Sequence, residues 1–123
     1  MSGGESDLEQ LLKTLNPILH PDRYTFAQSS EPVLPPNAFA LVREDEGVTI
    51  ITTDPAGEWA HISLGVHSSL EAVALTAELS RRLSEAGIST NIVAALRHDH
   101  LFVPWDRREE AKGLLTQVSA PAR

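Results

Sequence analysis

The stretch LRHDHLFVP, Leu96 to Pro104, places His98 and His100 two residues apart with Asp99 between them. On a strand alternate residues share a face, so both imidazoles could turn toward one ion. Zinc takes three or four ligands, with outer partners that fix each ring's tautomer, so a pair is not yet a site. His61 and His67 share a face of a second predicted strand and are the nearest source of a third ligand. The simpler reading of RHDH is the polar connection of a hairpin, with a histidine making a structural hydrogen bond. A metal-binding protein using His98 and His100 is therefore the lesser alternative, and no metal or other cofactor is assigned.

Catalysis has less to draw on. The chain has no cysteine, which removes disulfides and thiolate nucleophiles. It has no G-x-S-x-G elbow, no H-E-x-x-H, no P-loop and no G-x-G-x-x-G. Ser68, His98 and Asp99 could be assembled on paper into a nucleophile, base and orienting acid, but nothing in their spacing favours it. The acidic run Glu44-Asp45-Glu46 falls in a predicted turn and reads as a solvated loop. The expectation is a protein with no catalytic residue.

VHSSLEAV, Val66 to Val73, carries more. Ser68 and Glu71 have the S-x-x-E spacing of a capping box, in which each side chain bonds a backbone N–H at a helix start. A helix that starts directly after a strand also offers free N–H groups and the positive end of its dipole. Such a terminus receives a carboxylate without a nearby lysine or arginine. Gly65, just before it, would let a ligand or another chain approach the backbone closely. A small carboxylate ligand suits this stretch better than a reaction does.

The elements around these stretches follow from periodicity. SDLEQLLKTLNP carries Leu8, Leu11, Leu12 and Leu15 at helical spacing, and Asn16-Pro17 stops the run. Arg23 to Gln28 reads as a brief strand, and SSEPVLPPNA, with three prolines, as a loop. FALVRED and GVTIITTD form a hairpin around Gly47, and Asp54 to Gly57 is a second turn. In EWAHISLGVH, Ala60, Ile62, Leu64 and Val66 alternate with Trp59, His61, Ser63, Gly65 and His67, which predicts a strand with one buried face. Leu70 to Ala86 switches to helical period, with Gly87 at the expected C-terminal cap. ISTNIVAAL and HLFVP are two further strands with Arg97 to Asp99 at their connection, and DRREEAKGLLTQV is a closing helix with Asp106 as N-cap. Residues 1–57 thus read α-β-β-β and residues 58–123 β-α-β-β-α, together one compact domain. Helices on one face of a mainly antiparallel sheet make an α+β fold, and the matching element content allows a degenerate duplication.

Composition bounds the partners. A chain of 123 residues fits one domain and can bury roughly 65% of its unfolded surface. Its apolar fraction of 41% and charged fraction of 22% are those of a globular protein. Net charge is −7, and basic residues are scattered apart from Arg81-Arg82 and Arg107-Arg108. Without a concentrated basic face, neither nucleic acid nor an anionic membrane is an expected partner. No apolar run approaches the ~20 residues of a membrane span. The N-terminal MSGGESDLEQ lacks the pattern of a signal peptide, so a cytoplasmic location is expected.

With these elements in place, HISLGVHSSLEAVALTAELSRRLSEAGISTNIVAALRHDHLFVPWDRREEAKGLL resembles the ACT-domain pattern of strand, loop, helix, "GI" turn, strand, hairpin and second helix. More closely, it resembles small stand-alone bacterial ACT-like proteins with an "HSSLEAVGLTA … GI … N-V-A … HDHLFVP" signature. YTFAQ and FALVREDEGVTII also resemble that family's first half, so the likeness runs from about Leu8 to Val118. The resemblance implies a ferredoxin-like α+β fold, with two ACT-like units in tandem as one arrangement. It implies a regulatory module that binds an amino acid or similar metabolite, usually between paired domains, hence a homodimer. Carried over by position, the ligand residues are Gly65, His67, Ser68, Ser69 and Leu70, with Asn91, Ile92 and Val93 from the strand expected to face them. The carboxamide of Asn91 both donates and accepts, which suits an α-amino and α-carboxylate pair. The competing function is an interaction module without a ligand that pairs with a partner enzyme. Two departures stand out: Ala74 replaces the signature's glycine, and the chain ends on a helix where an ACT unit ends on a strand. Either a strand from the first half fills that place or the topology is permuted.

Overall fold

A computed structural model describes residues 8–66 and 73–119. Helix α1 (Leu8–Lys13) is followed by strands β1 (Pro17–Ser29), β2 (Ala38–Glu44), β3 (Gly47–Thr53) and β4 (Trp59–Leu64). Then come α2 (Val73–Glu85), β5 (Asn91–Ala94), β6 (Asp99–Pro104) and, after one 3-10 turn, α3 (Arg108–Ser119). The six strands form one antiparallel sheet in the order β2-β3-β1-β4-β6-β5.

All three helices pack on one face of that sheet. Leu11 and Leu15 from the first helical segment, Leu75, Leu79 and Leu83 from α2, and Ala111 and Leu115 from α3 meet Ala60, Ile62 and Leu64 of β4 and Leu101 and Val103 of β6. Each fully buried leucine in this layer contributes about 1.5–3 kcal/mol through removal of apolar surface from water. The outer side of α2 is charged: Arg81 pairs with Glu78 at 2.8 Å and Glu85 at 2.9 Å, an exposed cluster of small energetic weight. Ala74 is exposed on this helix.

The helix ends follow sequence chemistry in one case and depart from it in another. At the end of α2 the N–H of Gly87 bonds Ser84 O and that of Ile88 bonds Leu83 O, with Gly87 at a φ of 74°. This paired 5→2 and 6→1 arrangement puts buried Ile88 against the last apolar turn, and only a glycine takes that backbone without strain. Before α3, helical geometry starts at Trp105, Pro104 holds the cap position and no side chain caps it. Asp106 therefore sits in the first turn, where its charge meets the dipole, instead of capping it. Trp105 is held between Arg108, 3.8 Å from its ring centroid, and Arg23 of β1 at 4.7 Å.

Two expectations about strands need correction. The brief strand at Arg23–Gln28 is the second half of a 13-residue strand that begins at Pro17. Pro17 opens it and Pro21 lies where the pairing with β4 shifts register, between Leu19 and Arg23. A proline has no N–H to give a ladder, so both sit where none is needed. Tyr24 pairs with Trp59 on β4 and with Thr53 on β3, and from there on β1 runs beside β3 alone.

The other correction concerns β4, which is buried on both faces. His61 is 5% exposed and Phe102, its partner on β6, is 0% exposed. In a flat sheet Phe39 on β2 would lie three strand spacings, about 14 Å, from His61. Their ring centroids are 5.1 Å apart, and Phe39 also meets His100 at 4.9 Å and Phe102 at 5.2 Å. The sheet therefore rolls at the irregular stretch of β1, so that β2 and β3 cover the helix-free face of β4 and β6.

The sheet order also shows what stands where a strand after α3 would lie in an ACT unit. The segment β4-α2-β5-β6-α3 has the ferredoxin-like arrangement with β4 and β6 adjacent and β5 outside β6. The place of its missing last strand, beside β4, is taken by β1 from the first half.

Candidate functional site

The turn after β4 is built against the turn after α1. Gly65 N–H donates to Asn16 O at 2.9 Å and Val66 N–H to Leu15 O at 3.3 Å. A methyl on Gly65 would stand 2.6 Å from Asn16 Nδ2 and 3.1 Å from Asn16 Cβ. Asn16 itself has a φ of 46°, a left-handed backbone that asparagine tolerates better than most residues. The room at Gly65 is thus used by the chain's own asparagine. Gly65→Ala should cost about 1–3 kcal/mol through this overpacking, read as a lower urea midpoint with an unchanged slope. An unaltered midpoint would show that Asn16 swings aside freely.

His67, Ser68, Ser69 and Leu70, with the proposed capping pair Ser68 and Glu71, lie outside the described residues. Around the described end of the turn, His98 Nδ1 stands 3.3 Å from Val66 O. His98 and His100 therefore do not aim at one point, because His100 Nδ1 is 3.0 Å from His61 Nε2. Among the described residues no three metal-ligating side chains converge.

Asn91, Ile92 and Val93 are on β5, which pairs with β6 and not with β4. Asn91 stands opposite Phe102, whose other partner is His61, and Val93 stands level with His100 and Ser63. Within one chain β6 separates these residues from Gly65, so the expected facing strand is one place further out. The reason is the crossover through α2, which puts β5 at the sheet edge. Asn91 is exposed, while Ile92 packs against the helix-side core. Beside the start of β5 a groove of about 400 Å³ is lined by Ser80, Ser84, Gly87, Ile88, Ser89 and Thr90.

The sequence reading missed a cluster of histidines under the rolled part of the sheet. His20 of β1 stacks on His61 with centroids 4.3 Å apart, and its Nε2 lies 2.7 Å from Ser63 Oγ. His61 stacks in turn on Phe102 at 4.9 Å, and Tyr24 meets it edge-on at 5.4 Å. Its Nδ1 is buried with no hydrogen-bond partner among the described residues. The tautomer that suits this is His61 Nε2–H donating to His100 Nδ1, which leaves only a lone pair unpaired. Burial, then the neighbouring His20 and His100, push the His61 imidazole down to about 3. Burial, then His98 and His20, also lower His100. The available signal was the parity of WAHISL and DHLFVP, which places His61, His100 and Phe102 on one face.

Two family models describe this geometry from both ends. One ACT-domain model matches residues 3–66 and another matches residues 57–117. No curated protein matches the chain. Among solved structures, a Vibrio cholerae protein described as of unknown function and as a possible transport protein is similar at 31% identity, over 92% of this chain and 96% of that one, with a TM-score of 0.78. An Agrobacterium tumefaciens protein shares the fold at 19% identity, over 85% of this chain and 89% of that one, with a TM-score of 0.66. Two ACT-type matches along one chain, meeting at β4 in a sheet where β1 completes the second unit, place the chain in the ACT-domain family.

Proposed function

We propose that this chain is a non-catalytic regulatory module whose ligand is an amino acid, held where two copies meet. One copy would contribute the turn after β4, with Gly65 and His67, Ser68, Ser69 and Leu70. The other would contribute Asn91, Ile92 and Val93. ACT domains are small-molecule-binding regulatory modules in general, which supports the class. The observation that carries the finer reading is that β5 is an edge strand separated from β4 by β6. A ligand touching both sets is then most simply bridged across copies. The segment from Thr90 to Leu96 has no charge and no proline, whereas the opposite edge, β2, ends in Arg43 and Glu44. An edge without such guards accepts a further strand. Asn91 and the groove beside it offer donors and acceptors for an ammonium and a carboxylate. No described helix is long and apolar enough to cross a membrane, and a cytoplasmic location belongs to the same proposal.

A thermal-unfolding screen against the twenty amino acids tests this. A ligand at 100 times its dissociation constant should stabilise the fold by about 2.7 kcal/mol. Asn91→Ala should abolish that shift while leaving the unliganded melting temperature within a degree or two. A full shift in the variant would remove Asn91 from the site. One observation favours a second reading, an interaction module that serves a partner enzyme. Leu96, at the tip of the β5–β6 hairpin, is 70% exposed beside the open edge. Self-association that ignores every amino acid would move the weight there.

A further inference from the structure

The cluster of His20, His61 and His100 has features that packing alone does not require. Three imidazoles lie in a row with His61 at the centre: His20 and His61 stack at 4.3 Å and 11°, while His61 and His100 are 5.2 Å apart and share a 3.0 Å nitrogen–nitrogen contact. A proton arriving at His61 would go to Nδ1, which is buried and has no acceptor among the described residues. The resulting cation would stand between two other ionisable rings with little water to solvate it.

Among the described residues no carboxylate is in contact with the three rings to relieve that charge. From β1 come His20 and Tyr24, and the charge of Asp22 acts on Tyr24. From β6 comes His100, with His98 acting on it. Asp99 is next to His100 but alternates to the other side of the strand. From β2 the contact is Phe39, and the charged residues Arg43 and Glu44 stand at that strand's far end, where Glu44 accepts from Thr49. The sequence of β3 has no titratable residue.

The same rings hold the rolled part of the sheet in place. Phe39 reaches β4 and β6 through His61, His100 and Phe102. The stretch of β1 between Leu19 and Arg23, where the ladder to β4 is interrupted, lies between the two parts of the sheet. The fold therefore has a seat, a hinge-like irregularity and a group of titratable side chains at one place. We propose that His20, His61 and His100 form a proton-operated latch that keeps the β2–β3 ribbon seated on β4 and β6 while neutral and releases it when charged. Release would bare Phe39 and Phe102 while the helix-side layer of Leu75, Leu79, Leu101 and Leu115 stays closed. The proposal is carried by the histidine cluster and does not depend on ligand binding at Gly65 and Asn91.

The test is amide hydrogen exchange on the full chain, expressed as protection factors to remove the intrinsic pH dependence. Between pH 7 and pH 4.5 protection across β2 and β3 should fall at least tenfold, while that of α2 and α3 holds. His61→Phe, which keeps a ring in the stack and takes no proton, should flatten this response. Should that variant fail to fold, His100→Gln, which still accepts from His61, should move the opening to lower pH. Loss of protection in the ribbon and helices together would overturn the latch, as would a pH response that both variants leave intact.

Discussion

Phe102→Ala should lower the stability of the protein by about 3–5 kcal/mol, the range for removing a fully buried aromatic ring. The ring is 0% exposed. It stacks on His61 at 4.9 Å and receives Tyr24, Phe26 and Phe39 at 5.5, 5.6 and 5.2 Å in edge-on contacts. Each such aromatic pair adds about 0.5–1.5 kcal/mol to the area term. The neighbours come from β1, β2 and β4, whose backbones are fixed by ladders, so the cavity has little freedom to collapse. Urea unfolding measures the loss directly. Leu96→Ala, at a 70% exposed site, should stay within about 0.5 kcal/mol and is the control. A cost at Phe102 under 1 kcal/mol would mean that the ribbon is not seated on β6 at all.

Acid should weaken the fold well above the usual carboxylate range. The folded state holds the His61 pKa down to about 3, against roughly 6.5 in an unfolded chain. A depressed histidine favours its neutral form, so its contribution is complete above about pH 6.5 and declines as the pH falls toward 3. At about 1.36 kcal/mol per unit, His61 alone removes about 2 kcal/mol between neutral pH and pH 5. His100, lowered by burial and then by His98 and His20, acts in the same direction. Glu78, held low by Arg81 and then Arg82, and Glu110, held low by Arg107, work below this window. Both belong to ion pairs at the surface of a helix and weigh little. Urea midpoints at pH 7, 6 and 5 should therefore fall steeply for the natural sequence and more gently for His61→Phe. Parallel slopes would take His61 out of the acid response.

Local pattern and distant contact divided what the sequence could reveal. The leucine stripe of α2, the Gly87 cap and the apolar face of β4 were legible because each depends on neighbours a few residues away. The length of β1 was hidden by Pro17 and Pro21, which punctuate a sequence even where a strand runs through them. The second buried face was hidden because histidine is a residue of solvent-facing positions as often as of buried ones. His61 is buried by rings that arrive from β1, β2 and β6, and no single stretch contains them. The candidate site divides the same way. Asn91 was readable as an exposed amide on a strand, but the place of that strand in the sheet depends on how the chain crosses over α2. Gly65 was readable as a close approach, but only the structure names Asn16 as what approaches.

The pairing of β1 with β4 gives the chain an order of assembly. During synthesis residues 17–53 emerge before β4 and hold three strands that can already pair, β1 with β3 and β3 with β2. Three strands with an apolar face are about the least that stand alone, and one edge of β1 is still unclaimed. When Trp59–Leu64 follows, that edge is the template on which it docks. The later unit thus meets a register reference in β1 before its own β6, the other neighbour of β4, has been made. A ribosome that stalls before Leu64 leaves an open strand edge, the kind of surface that chaperones and neighbouring chains compete for.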